Sequence, residues 1–434
     1  MSIWRRLAEN FGWLLGGQGL SAIFTVGSTI ICARTLGAGD FGVLVMLHAG
    51  ALLVRQFCNF KTAEAAVRFG VAEHAAADST RWGVLLAALW RLDLIGMALA
   101  MFVIAVLLFS GLTLHLFSVP ATAWWYVLAA SGFVAGTARG ALRVLDRYAV
   151  LGMIEGVGPL VRFLGVAVLG LLDSPVQYFV CVWAFALWVD QIIVLVPAFR
   201  HVRVGLVNVR FWQARLTSLQ IPGLQSFLVA VYWQSNVDSL LRQGPTLLVG
   251  ASLGATDAGV YRLVRDVADV LRKPVALIRQ AVFPDLARMW ITNPRRFMWF
   301  SLQLSGLLAV FGIVFMLATT WFGEVLLQLL GGEQFASGTL LMALLVGAAV
   351  LELPGGVLRP AIYTLGGERL VLGLSVGVLL AYSASFWLLV ATQQSLTPGY
   401  AALIAAIVSL STYLLVLWWL LRRPVNRERM RASE

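Results

Sequence analysis

The sequence predicts an all-α integral membrane protein of about twelve transmembrane helices, built as two parallel six-helix repeats. Three observations carry this prediction. Sixty per cent of the 434 residues are hydrophobic and only 12% are charged, whereas a soluble domain carries about 25% charged residues. Apolar stretches of about 20 residues, the length that crosses a bilayer as a helix, recur along the whole chain. Finally, Leu36-Gly37-Ala38-Gly39-Asp40-Phe41-Gly42-Val43 reappears as Leu253-Gly254-Ala255-Thr256-Asp257-Ala258-Gly259-Val260, with six of eight positions identical and an offset of 217 residues. That offset is half the chain, and Arg55 and Arg272 are related by it too. A motif repeated at half length in an apolar chain marks a duplicated transport architecture.

By length and apolar content the first six helices fall near 11–33, 41–60, 85–109, 122–142, 149–172 and 176–198. The second six fall near 224–250, 258–283, 298–321, 338–358, 369–391 and 398–421. An even number of crossings per half makes both halves cross in the same sense, which defines a parallel repeat. The expected divisions are an N-terminal half over 1–200, an inner linker over 201–222 and a C-terminal half over 223–434. The basic N-terminal stretch lacks a small-residue cleavage site, so the first apolar run reads as a retained helix.

Basic residues set the orientation. With the N-terminus inside, 21 of the 32 Lys and Arg residues, Lys61 among them, fall in inward segments, and Arg34 alone falls in an outward one. The positive-inside rule then puts both termini in the cytoplasm. The net charge is +11, and only Lys61 and Lys273 are lysine. Codon bias accounts for such an arginine excess equally well, but Arg also offers a planar fork for phosphate and stays charged when partly desolvated. Loops this short, without aromatic-interleaved basic clusters, do not suit nucleic acid. Cys32, Cys58 and Cys181 have neither paired nor metal-like spacing, so no metal site is expected.

The repeated turns read as two tight outward hairpins. Gly37 and Gly254 suit left-handed helix caps, and Asp40 and Asp257 stand where the next helix wants an N-cap. The first copy, from Arg34 through Gly37, Asp40 and Gly42, resembles the "R-x-L-G-x-x-x-[FY]-G" motif of Wzx-type polysaccharide and O-antigen flippases. These form the polysaccharide-transport branch of the MOP superfamily, related to MATE exporters and to MurJ. The second copy, through Gly254, Asp257 and Gly259 and closed by Phe283-Pro284-Asp285-Leu286-Ala287, resembles that family's eighth-helix region. The resemblance runs over nearly the whole chain. It implies a MATE/MOP-like fold, a bacterial cytoplasmic (inner) membrane location, and transport of an undecaprenyl-pyrophosphate-linked oligosaccharide for exopolysaccharide or O-antigen assembly. MurJ-like proteins usually have fourteen helices, so twelve fits the polysaccharide branch better.

The eighth helix carries Arg262, Arg265, Asp266, Asp269, Arg272, Lys273 and Arg279 at three- and four-residue spacings. At 100° and 1.5 Å per residue they form a stripe within an arc of about 140°, running about 25 Å along the axis. A charge at the bilayer centre costs at least a few kcal/mol, so such a stripe must face a wet cavity or other charges. Arg262–Asp266 and Arg265–Asp269 suit i,i+4 pairing, which leaves an excess of three positive charges. Pro274 interrupts the stripe and suits a bend.

Further intramembrane charges are Arg55, Arg91 and Asp93, Arg139, Glu155 with Arg162, Asp190, Asp238 with Arg242, and Glu352. The candidate cationic cavity comprises Arg55, Arg139, Arg162, Arg242, Arg262, Arg265, Arg272 and Lys273. Interhelical ion pairs account for any one of these as readily. Asp238, Asp266, Asp269 and Glu155 are candidates either to bind a coupling H⁺ or Na⁺ or to pair with arginines. Polar groups on the first and seventh helices, Gln18, Ser21, Thr25, Gln234 and Asn236, suit a hydroxyl-rich sugar, with Tyr232 and Trp233 as stacking faces or interface anchors. No Gly-x-x-x-x-Gly-Lys-Ser/Thr loop occurs, so ATP is not the direct driver. The expectation is therefore a monomeric, non-enzymatic flippase with the bilayer and a polyprenyl-pyrophosphate-linked glycan as partners and a polysaccharide polymerase and co-polymerase as neighbours. A MATE-type cation-coupled exporter favours an acidic lumen and is the rival within transport. A membrane glycosyltransferase or polymerase needs a larger outward loop than the sequence offers.

Overall fold

The computed structural model describes residues 3–75, 79–110, 120–206, 221–292, 294–365 and 367–422, and all regular structure among them is helical. Contacts divide the chain into two compact units, Met1–Leu247 and Leu248–Glu434. Most of the expected linker, residues 207–220, lies outside the described residues.

In the first unit, α1 (Ile3–Phe57) carries the first two expected helices as one run interrupted at Gly37. A break over Cys58–Lys61 leads into α2 (Thr62–Ala75), so the second span continues well past residue 60. Helix α3 is Ser79–Phe109. The fourth expected helix is a 3₁₀ turn (Ala121–Trp124), then α4 (Trp125–Ala130) and α5 (Ala135–Val144). The fifth is α6 (Tyr148–Glu155) and α7 (Val157–Leu171), and the sixth is α8 (Val176–Ile192) and α9 (Leu195–Leu206). Helix α10 (Leu224–Leu253) runs across the division between the units.

The second unit holds α11 (Ala255–Thr292), α12 (Pro294–Gly331), α13 (Thr339–Glu352), α14 (Gly355–Thr364), α15 (Glu368–Gln393) and α16 (Thr397–Leu421). At 38 residues each, α11 and α12 reach about 57 Å, well beyond a hydrocarbon layer of about 30 Å. The segment expected to join them as an inward loop is thus largely helix. Backbone helicity also runs on through Pro274 to Thr292.

Among the described residues, eight runs are long and apolar enough to cross a membrane. They account for nine of the expected helices, because Gly16–Val71 holds two. The other three fail that test for visible reasons. The fourth is broken into short pieces, while α10 and α11 carry polar and charged stripes. Large apolar side chains cover the outside, among them Phe102 (66% exposed), Trp321 (83%) and Leu388 (78%). Exposure of this kind is tolerable only in lipid. Inside the first unit, Ala65 and Ala66 of α2 meet Leu85, Leu86 and Leu89 of α3 and Ala135, Ala138 and Ala141 of α5. Small residues at these contacts let backbones approach closely, which is how helices pack in lipid.

The repeated turns break as expected but cap differently. Gly37 has φ 70° and ψ 177°, a region essentially reserved for glycine, and Gly254 has φ 101°. The Gly254 carbonyl accepts the Ala258 N–H at 3.2 Å, so Gly254 itself caps α11. Asp257 therefore lies in the first turn instead of at the N-cap. There its charge complements the positive end of the helix dipole. Asp40 likewise lies inside α1, three residues past its glycine, while Gly42 and Gly259 are buried at the start of the new helical run. Arg34 is exposed.

Candidate functional site

The first unit gathers charge around the break that ends α1. Arg55, half-buried on α1, lies over the Phe133 ring with its guanidinium carbon 5.7 Å from the centroid. Its charged neighbours are Arg139 and Asp190. Arg139 on α5 donates to the Asp190 carboxylate at 3.2 Å and to its carbonyl at 3.0 Å, while its Nε is buried without a partner. Glu155, at the end of α6, has Arg139, Asp190 and Arg143 as its charged neighbours.

Lys61 belongs to this group and not to an inner loop, which corrects the sequence reading. It is 7% exposed and occupies φ 59°. The Asn59 side chain accepts its backbone N–H at 2.9 Å, and its own carbonyl takes the Ala65 N–H at 3.1 Å, so Lys61 caps α2. Around its ammonium stand Glu64 and Asp238 with the cations Arg55 and Arg242. Among the described residues, neither Lys61 nor Arg55 has a carboxylate within ion-pair distance. A cation inside the membrane without a counter-ion is costly to keep. Arg242 on α10 is itself exposed.

Arg162 on α7 sits apart from this group. Its Nε donates to the Ser28 hydroxyl at 3.0 Å, and its guanidinium lies 4.7 Å from the centre of the Trp183 ring. His48 meets the same ring edge-on at 4.9 Å and comes within 3.3 Å of the Tyr126 hydroxyl. Tyr232, one of the proposed sugar-stacking aromatics, instead donates to the Phe57 carbonyl at 2.8 Å and stacks on Phe60, closing over the α1 break. Trp233 is 55% exposed.

The second unit holds a different kind of cluster. Arg262 pairs with Asp266 at 3.1 Å and Arg265 with Asp269 at 3.8 Å, each one turn apart on α11. Arg272 bridges Asp269 to Glu352 of α13, donating to the latter at 2.9 Å. The expected excess of three positive charges is therefore not visible here. Glu352 joins the stripe from another helix, and the side chains of Lys273 and Arg279 lie outside the described residues. Arg265, 9% exposed, keeps its Nη1 buried without a partner beside the Tyr261 ring. Asp266 and Asp269 are thus arginine partners in this structure.

Two further groups extend the sequence reading, which names Asp93 only as an intramembrane charge and Asn236 only as a polar group suited to a sugar, and does not name Gln243 or Thr246. Asp93 of α3 is 5% exposed and accepts three hydrogen bonds, from the Thr62 hydroxyl at 2.5 Å and from the Thr137 hydroxyl and backbone N–H at 2.7 and 2.8 Å. On α10, Asn236 (1% exposed), Gln243 and Thr246 carry buried polar atoms without hydrogen-bond partners. Residues 236, 239, 243 and 246 share one helix face, so the spacing was a usable signal. Asp93 offered no such pattern, because its partners come from two other helices.

Apolar spans with a lipid-facing exterior define a multi-pass membrane protein. The chain belongs to the polysaccharide biosynthesis protein family, whose model matches residues 7–290. It is 24% identical over 338 residues to the inner membrane protein YghQ of Escherichia coli, covering 76% of this chain and 94% of that protein. Among solved structures it resembles the lipid II flippase MurJ in an inward closed conformation, with a TM-score of 0.70 at 11% identity over 96% of this chain and 89% of that one. An inward-facing multidrug resistance MATE transporter of the MOP superfamily gives 0.67 at 13% identity, over 95% of both chains. The Vibrio cholerae MATE transporter VcmN in its bent form gives 0.57 at 16% identity over 99% and 97%. At these identities the likeness establishes the fold, which is the expected twelve-helix MATE/MOP arrangement. The protein is a multi-pass membrane protein of the polysaccharide biosynthesis protein family, with the fold of MATE transporters and MurJ.

Proposed function

We propose that this protein flips an undecaprenyl-pyrophosphate-linked oligosaccharide across the bacterial inner membrane by alternating access, with Arg55 and Lys61 meeting the pyrophosphate. The observation that carries this reading is the pair of cations at the end of α1, Lys61 buried and Arg55 half-buried, with no carboxylate within ion-pair distance among the described residues. Arginine and lysine in that state replace water around phosphate oxygens by charge-assisted hydrogen bonds. The polyprenyl tail stays in the bilayer, and the polar face of α10 suits the sugar. The cycle draws on H⁺ or Na⁺. The protein works as a monomer with both termini cytoplasmic, beside a polymerase and co-polymerase. MurJ, whose fold this chain shares, is a lipid II flippase, a protein whose substrate is likewise lipid-borne.

The test is flipping of a fluorescent undecaprenyl-pyrophosphate glycan in proteoliposomes. Arg55→Ala and Lys61→Gln should each raise the half-saturating substrate concentration about 10-fold or more, the effect of losing one charge-assisted contact. Folded variants that flip with wild-type rate and saturation would remove these residues from the substrate site. Absence of flipping by the wild-type protein would remove the substrate assignment itself.

A further inference from the structure

The environment of Asp93 has a geometry that neither the family nor the substrate reading uses. It lies near the middle of the apolar run Arg81–Phe109, and among the described residues it has no Arg or Lys within ion-pair distance. Its partners stand at the starts of two helices. Thr62 is the first residue of α2, just past the Cys58–Lys61 break, and Thr137 is in the first turn of α5, just past the Ser131–Val134 break. Helix α5 has no side-chain cap of its own. Asp93 takes an N–H that every helix start leaves free, and its negative charge faces the positive ends of two helix dipoles. The approach is close: a Cβ on Gly136 would fall 2.3 Å from the Thr62 hydroxyl and 2.9 Å from Asp93 Oδ1.

Surrounding charges do not supply a counter-ion. Glu64 of α2 is the charged side chain that bears on Asp93. On the same helix, Arg68 lies over Phe227 and Glu73 pairs with Arg81. Of the remaining neighbours, Arg139 of α5 is held by Asp190, Arg143 of α5 and Arg200 of α9 are exposed, and His201 bonds to the Pro197 carbonyl. Arg55 of α1 faces Phe133, and Arg91 is half-buried one residue pair earlier on α3 itself.

We propose that Asp93 is a proton-binding site of the transport cycle, and that taking up a proton there loosens the starts of α2 and α5 together. The inference rests on the transporter reading but not on the identity of the substrate. As a carboxylate, Asp93 accepts all three hydrogen bonds. When a proton binds one oxygen, that oxygen becomes a donor. It must then either displace Thr137 or turn the Thr62 hydroxyl around, and the charge that complements both helix starts is lost. Two interrupted helices so clamped form a two-state element that one proton biases. Asp266 and Asp269 are poorer candidates because arginines hold them.

Hydrogen exchange of the purified protein in nanodiscs, read at residues 58–66 and 131–141 across a pH series, tests this directly. In the wild-type protein both windows should open together through a single midpoint as pH falls. Asp93→Asn should abolish the pH dependence in both. Thr137→Val removes a donor that stabilises the anion and should move the midpoint up by about 1 unit, whereas Thr137→Ser should leave it in place. An unchanged transition in Asp93→Asn, or no shift in Thr137→Val, overturns the proposal. In proteoliposomes, Asp93→Asn should lose acceleration by a proton gradient while retaining downhill flipping. If the windows respond as expected but the protein flips no lipid-linked glycan, the proton site stands and the substrate reading fails.

Discussion

Arg272 shows what spacing reveals of a residue and what it conceals. Its place on the stripe, and its equivalence to Arg55, were both visible in the sequence. Its partner Glu352, 80 residues away on α13, was not, because an interhelical ion pair has no period along the chain. The pairing can be separated from a substrate role by a double-mutant cycle. Arg272→Ala should lower the melting temperature in detergent by leaving Asp269 and Glu352 short of a cation. Adding Glu352→Ala should recover about 1 kcal/mol of that loss. If Arg272 serves only to pair, flipping should recover in the double variant as well. The motif glycines divide in the same way. Their need for positive φ was legible, whereas the place of Gly254 as the cap of α11 depended on where the helix restarts. Gly254→Ala forces a side chain to φ 101° and should cost about 1–2 kcal/mol, checked by thermal unfolding.

Helix α10 fails the apolar-span test and carries buried polar atoms without hydrogen-bond partners among the described residues. A helix kept for stability alone would not hold these groups, since burying an unpartnered amide costs about 1–3 kcal/mol. Asn236→Leu should therefore raise the melting temperature while lowering the flipping rate, a trade expected where function requires strain. A variant that is both less stable and fully active would show that Asn236 has a structural partner. At the α1 break, Tyr232→Phe removes the bond to the Phe57 carbonyl. It should cost about 1 kcal/mol, and hydrogen exchange at residues 57–61 should speed up. Helix existence was legible throughout, because apolar length is a local property. The breaks at Cys58–Lys61 and Ser131–Val134 were not, because Tyr232 and Asp93 hold them through contacts from other helices.

At the scale of the molecule, the proposed orientation rests on the uneven distribution of basic residues. On a background lacking Cys32, Cys58 and Cys181, Asp173→Cys should react with a membrane-impermeant maleimide added to intact spheroplasts. Arg427→Cys should react only after the membrane is opened. The reverse pattern would invert the topology and, with it, the direction of transport.

The sequence by itself determined the membrane environment, the helix inventory, the duplication and the family, because each rests on composition, apolar length or a repeated motif. Only the tertiary structure decided which charges are spent on one another. The eighth-helix stripe, the more conspicuous in the sequence, is paired off by Glu352 and its own aspartates. Among the described residues, Lys61 and Arg55 have no carboxylate within ion-pair distance, and Asp93 is held by Thr62 and Thr137. The physical reason is that a charge inside a membrane is defined by what stands within about 4 Å of it, and those neighbours come from helices far apart in the chain.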